Sequence, residues 1–135
     1  MPVFTIISAF VIMNGRMQKF LQFGPPMFPV QAVEWLEKNP QQGKMFNDLN
    51  WGGYLALHLW PGQLTFIDSM ADVTGEVTMQ YETVITLANG WQDIFEQYDI
   101  EWAIIERNSI LARELESNYH WNVVYEDGNS VILQK

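Results

Sequence analysis

The feature that most constrains this chain is the break at Gly24, Pro25, Pro26 and Pro29, because consecutive prolines beside a glycine can continue neither a helix nor a strand ladder. Whatever precedes the break must form its own element. The preceding run, Val3 to Met13, carries no charge over eleven residues. Beyond Asn14-Gly15, the residues Met13, Met17, Phe20 and Leu21 recur at i, i+4, i+7 and i+8, which predicts a helix from about Val3 to Gln22 with Arg16 and Lys19 near its end. The uncharged run is shorter than the roughly 20 residues that a bilayer needs. It also lacks the basic lead and small-residue cleavage site of a secretory signal. A membrane helix leaving the bilayer through an interfacial segment fits the pattern; the other reading is a buried N-terminal helix or strand of a soluble protein. The expected organisation is an apolar membrane-exit helix over 1–23, a Pro/Gly linker over 24–28 and an extramembrane α/β domain over 29–135.

Past the break the patterning is regular. Val30, Val33 and Leu36 share a helical face, Glu34 pairs with Lys38 at i, i+4, and Asn39-Pro40 ends the segment. Lys44 to Asn47 is a strand candidate, Gly53 to Leu59 a helix stopped by Pro61-Gly62, and Leu64 to Ile67 a second strand. A helix between two strands about sixteen residues apart predicts a parallel crossover. Tyr81, Val84, Ile85 and Ala88 predict a helix closing at Asn89-Gly90, and Trp91, Ile94, Phe95 and Tyr98 predict the next. Strand Trp102 to Ile105 follows, then a helix capped by Asn108 or Ser109 and running to Ser117. Trp121 to Tyr125 and Ser130 to Gln134 predict a hairpin, with Asp127-Gly128 supplying a positive φ at its turn. The expected fold class is α/β, a layered domain with a mixed, partly parallel sheet and a C-terminal β-hairpin, preceded by the apolar N-terminal helix.

The chain has 135 residues, enough for one domain, since domains commonly run to roughly 100 to 150 residues. Sixteen acidic residues oppose seven basic ones, a formal charge of -9, so a phosphate backbone meets long-range repulsion and nucleic acid is not an expected partner. The absence of cysteine removes disulfides, thiolate metal sites and thiol nucleophiles. Phosphate-loop, dinucleotide and hydrolase motifs are missing too, so no cofactor and no resident metal is expected. His58 and His120 have no ligand candidate at helical spacing.

Two polar clusters remain, Asn47 to Tyr54 and Asp68 to Asp72, each following a predicted strand. Ligands of open α/β sheets collect at the carboxyl ends of parallel strands. Asp48, Asp68 and Glu106 would converge there, Arg107 being the nearby cation, and such an edge suits hydroxyl groups or a divalent cation better than phosphate. The ligand-binding candidates are Asp48, Asn50, Trp51, Asp68 and Asp72. Trp51 would offer an aromatic face to sugar C–H groups while the carboxylates accept hydroxyl hydrogen bonds. The same residue types also cap helices and close turns, and Asn50 is placed to cap a helix beginning at Gly52.

The segments Pro29 to Leu36, Gly43 to Leu55 and Phe66 to Asp72, with the specific run Asn47-Asp48-Leu49-Asn50-Trp51-Gly52-Gly53-Tyr54, resemble the C-terminal extramembrane domain of bacterial polytopic membrane glycosyltransferases of the dolichyl-phosphate-mannose protein mannosyltransferase (GT-C) type. Tyr98 to Ile105 and Trp121 to Asp127 extend the resemblance over nearly everything after Pro25. Ser69-Met70 stands where such proteins often carry Gly-Arg. The resemblance implies an accessory extracytoplasmic domain, attached at the outer face of the bacterial cell membrane, beside a membrane-embedded catalytic portion that uses a polyprenyl-phosphate-sugar donor. No part of the chain matches that family's catalytic loop, so no catalytic residue carries over. The implied partners are the membrane portion and a glycan or protein acceptor. A freestanding soluble module that binds a sugar or another small polar ligand is the alternative, and a metal-dependent hydrolase or phosphotransferase using Asp48, Asp68 and Asp72 is a third class.

Overall fold

The computed structural model describes residues 28–68 and 75–135. In chain order they form α1 (Val30–Lys38), β1 (Lys44–Asn47), a 3-10 turn (Leu49–Trp51), α2 (Gly52–Leu59), α3 (Glu76–Ile85), α4 (Trp91–Gln97), β2 (Ile100–Glu106), α5 (Ile110–Ser117), β3 (Asn122–Glu126) and β4 (Ser130–Gln134). The sheet has the order β1-β2-β4-β3. β1 and β2 run parallel, while β2–β4 and β3–β4 are antiparallel. The α/β class, the partly parallel sheet and the terminal hairpin are therefore as the sequence indicates. The apolar N-terminal helix, the 1–23 segment and all but the last residue of the linker lie outside the described residues.

Alternation along the strands sorts the core into two layers. Trp102, Ile104 and Ile132 join Met45 on one face, where Ala32, Val33 and Leu36 of α1 and Leu55 of α2 cover them. Ala103, Ile105, Val131 and Leu133 join Phe46 on the other, under Tyr81, Val84, Ile94, Phe95, Leu111 and Leu115 of α3, α4 and α5. Side chains of successive strand residues point to opposite faces, so a strand that is apolar at both parities must be covered twice. β2 is such a strand, and helices on both faces follow from its sequence.

The predicted strand at 64–67 is not one. No ladder joins it to β1; instead β1 pairs with β2, which lies far along the chain. The segment nevertheless runs beside β1 in the same direction. Gln63 Nε2 donates to the Gly43 carbonyl at 2.8 Å, and at the other end Asn47 bonds the backbone of Phe66 and Ile67. Both ties span about the same offset along the chain, as in a parallel pair, but side chains carry them. At the start of β1 the register shifts by one residue, Lys44 facing Ile100 and Met45 facing Trp102. Glu101 fills the irregularity and lies over Gly43, whose φ of +84° and lack of Cβ are both required, since a Cβ there would overlap the Glu101 carboxylate.

Two local expectations also change. The α3 helix stops at Ile85, before Asn89-Gly90, because Leu87 takes a left-handed φ of 54° and Ala88 N–H closes onto the Thr83 carbonyl at 2.9 Å. At the hairpin, Gly128 does not take a positive φ. The turn is held by Asp127, whose carboxylate accepts from Asn129 N at 2.8 Å, Ser130 N at 2.7 Å and the Tyr125 hydroxyl at 2.8 Å. Ser109 rather than Asn108 caps α5, accepting from Ala112 N at 3.1 Å.

Asp127 supplies a pH-dependent test. Partial burial, the largest single influence, pushes its carboxyl pKa up, but the hydrogen bonds from Ser130, Asn129 and Tyr125 together outweigh it and the net shift is downward. A depressed folded pKa stabilises the fold above the unfolded carboxyl pKa of 3.8, and that contribution is lost as pH falls through the lower folded value. Asp127→Ala is expected to lower stability by about 1 kcal/mol at neutral pH. Urea midpoints of the two proteins should draw together as pH falls below the unfolded carboxyl value and through the lower folded one; a gap that stays constant down to acid pH would contradict this.

Candidate functional site

The carboxyl end of the parallel pair is built around a side chain that the sequence analysis places at a strand end and at the head of a polar run, without a role of its own. Asn47 is fully buried. Its Oδ1 accepts from Phe66 N at 2.7 Å and Ile67 N at 3.3 Å, and its Nδ2 donates to the carbonyls of Ile67 and Asp48, both at 2.9 Å. An amide has two donors and two acceptor lone pairs, so this one is saturated, and it does for residues 66–67 what a ladder would otherwise do. Among the described residues no buried side-chain polar atom lacks a partner.

The rest of the polar run follows from that anchor. Asp48 leaves β1 in extended conformation and accepts from Asn50 N at 2.9 Å, capping the Leu49–Trp51 turn. The cap expected from Asn50 is thus supplied two residues earlier, because a 3-10 turn precedes α2. Asn50 itself is exposed. Trp51 is 3% exposed and packs in the core with Leu55 and Trp102, so in this arrangement its indole has no face open to a sugar. Gly52 is buried with its Cα against the Ile67–Asp68 backbone, where a Cβ would overlap the Ile67 carbonyl oxygen. That contact brings Asp68, half-buried, beside the start of α2. Asp72 lies outside the described residues.

Tyr81, which helical spacing assigned to the core, carries its hydroxyl to the same edge. It accepts from Leu49 N at 3.2 Å. Burial pushes its pKa up to about 12, the Leu49 N–H opposes the rise, and the carboxylates of Asp48 and Glu106 add to it. Asp48 and Glu106 therefore both act on this phenol, while Asp68 lies against Gly52 at the start of α2. Arg107, the cation expected at the edge, is engaged elsewhere, with Nε 2.7 Å from a Glu126 carboxylate oxygen. The edge is acidic and half-open, and it presents acceptors. Among the described residues no three acidic or histidine side chains come close enough to hold a metal ion.

A separate concavity lies at the other end of the sheet. A groove of about 680 Å³ opens where β1 and β2 begin, floored by Leu36, Ile100 and Trp102 and rimmed by Gln42, Lys44 and Gln63. None of the predicted site residues lines it. Sequence reasoning missed the groove because its walls come from five separated segments, and no local motif marks their meeting.

No protein-family model matches this chain, and no curated protein matches it. Among the described residues no helix is long and apolar enough to cross a membrane.

The geometry separates Asn47 from an ordinary strand residue. Replacing it with Ala strands two N–H groups and two carbonyls and is expected to cost roughly 2 to 4 kcal/mol in urea unfolding. Asn47→Asp should be no better than Ala, because a carboxylate cannot donate to the Ile67 and Asp48 carbonyls and is buried beside Asp48. A neutral or mild effect of both would mean that residues 66–67 are held by other contacts.

Proposed function

We infer that this chain is an accessory, non-catalytic domain of a membrane glycosyltransferase at the extracytoplasmic face, whose acidic strand edge recognises hydroxyl groups of an acceptor. The observation that supports it is that Asp48 and Glu106 both act on the Tyr81 hydroxyl at the carboxyl end of the β1–β2 pair, with Asp68 against Gly52 at the start of α2. Carboxylates at a sheet edge favour neutral polyol hydroxyls, which donate hydrogen bonds, and disfavour phosphate. The polar run Asn47 to Tyr54 gives further support: it supplies both the structural tie of residues 66–67 and the carboxylate of Asp48, so one sequence segment fixes the edge and furnishes its chemistry. The recognising set on this reading is Asp48, Asn50 and Asp68, with Asp72 from the adjoining segment; Trp51 acts from within the core as a support.

The alternative, a freestanding module for a sugar or another small polar ligand, is favoured by one separate feature. The groove at the opposite sheet end has the volume and the apolar floor with polar rim typical of small-molecule sites.

Titration of the isotope-labelled chain with methyl mannoside and oligomannose, followed through backbone amide resonances, distinguishes the two. The proposed reading predicts shifts confined to Asp48, Asn50, Gly53 and Asp68, and roughly tenfold weaker binding in Asp48→Asn/Asp68→Asn, equivalent to about 1.4 kcal/mol. Asparagine retains the capping acceptor at position 48, so the fold should survive. Shifts at Gln42, Lys44 and Gln63 would instead favour the groove, and no shifts at either end would contradict a recognition role. The chain alone should transfer no mannose from a polyprenyl-phosphate donor; transfer by it would overturn the accessory assignment.

A further inference from the structure

The longest uncharged stretch of the sequence, Leu49 to Ile67, contains no Asp, Glu, Lys or Arg in a chain whose formal charge is -9. Part of it is buried, but its outward side is not. Leu57, Trp60 and Leu64 are 79%, 67% and 65% exposed, the three most exposed large apolar side chains among the described residues. Leu57 and Trp60 stand at i, i+3 on α2 and its C-cap, and Leu64 follows one turn of chain later. At Gly53, one turn before Leu57, a Cβ would meet nothing within 4 Å, so the outward face is open along α2. Scattered exposed leucines need no explanation, whereas three of this size within eight residues form a patch.

We propose that the Leu57–Trp60–Leu64 face seats in the interface of a lipid bilayer. Three properties select lipid over a protein partner or a second copy. The patch holds no carboxylate, so it is the part of an acidic protein that anionic headgroups repel least. Its composition, one tryptophan between two leucines on a helix end and turn, is that of an interfacial anchor, with the amphipathic indole at headgroup depth and the leucines just below it. Finally, the described chain begins against the same helix. Phe28, the first described residue, stacks on Tyr54 at 5.1 Å, and Tyr54 packs on His58 at 4.4 Å. Leu57 lies roughly 4.5 Å further along the α2 axis. This placement rests on the membrane-side reading above, and adds which surface faces the lipid.

The native chain has no cysteine, so a single introduced thiol reports position cleanly. The 135-residue chain carrying Leu57→Cys, labelled with bimane, is mixed with phosphatidylcholine vesicles whose acyl chains are brominated. The comparison probe is Met79→Cys on α3, which is 63% exposed and packs over the opposite face of the sheet. Quenching at position 57 is expected to exceed that at position 79 by about threefold or more, to persist at high salt, and to fall to the position-79 level when Trp60→Ser and Leu64→Ser are added. If the chain sediments with the vesicles but position 57 is quenched no more than position 79, the docking face is wrong while the membrane reading stands. A chain that does not sediment with vesicles at all overturns both. A blue shift of the position-57 probe that grows with protein concentration in the absence of lipid assigns the patch to a second copy and overturns the proposal.

Discussion

The saturated amide of Asn47 is the interaction on which the functional end of the domain depends. β1 is an edge strand, and the segment that could have paired with its free side, Leu64 to Ile67, forms no ladder with it. A buried backbone N–H or carbonyl left without a partner costs about 1 to 3 kcal/mol, so residues 66–67 cannot lie against β1 unless something bonds them. One side chain meets that requirement with two donors and two acceptances. Because Ile67 is fixed, Asp68 is fixed next to Gly52. Because Gly52 has no side chain, α2 can begin there, with Trp51 directed into the core and Asp48 left at the surface to cap the turn.

Legibility of the sequence followed the range of the forces involved. The α4 helix, with Trp91, Ile94 and Phe95 in one apolar stripe, was readable because periodicity is a local property, and α5 was readable from the capping residues before it. The hairpin was readable too, although its turn is made by the Asp127 side chain rather than by a left-handed Gly128. The partner of β1 was not readable. Leu64 to Ile67 has strand composition and lies where a crossover would end, yet pairing is decided by which strand can be buried on both faces, and Trp102 to Ile105 is apolar at both parities. Tyr81 illustrates the same limit at the site. Its spacing marks it as core, correctly, but a tyrosine has two ends, and nothing local announces that its hydroxyl meets Leu49 N and the Asp48 carboxylate.

Among the candidate residues, scaffold and surface divide sharply. Trp51 and Asn47 are committed to packing and hydrogen bonding inside, and Asp48 spends one oxygen on a cap while remaining half-exposed. Most of the run Asn47 to Tyr54 is thus accounted for through the needs of the fold, with Tyr54 stacked between Phe28 and His58.

Amide hydrogen exchange at Phe66 and Ile67 in the unmodified protein tests the central tie most directly. These residues belong to no strand and sit in a connection between α2 and α3, where unpaired amides exchange nearly as fast as in an open chain. If Asn47 Oδ1 holds both N–H groups as described, their protection should match that of the β1 amides and be lost in the same cooperative opening. Exchange at Phe66 and Ile67 that is orders of magnitude faster than at Met45 and Phe46 would show that the amide tie is not what positions the acidic edge.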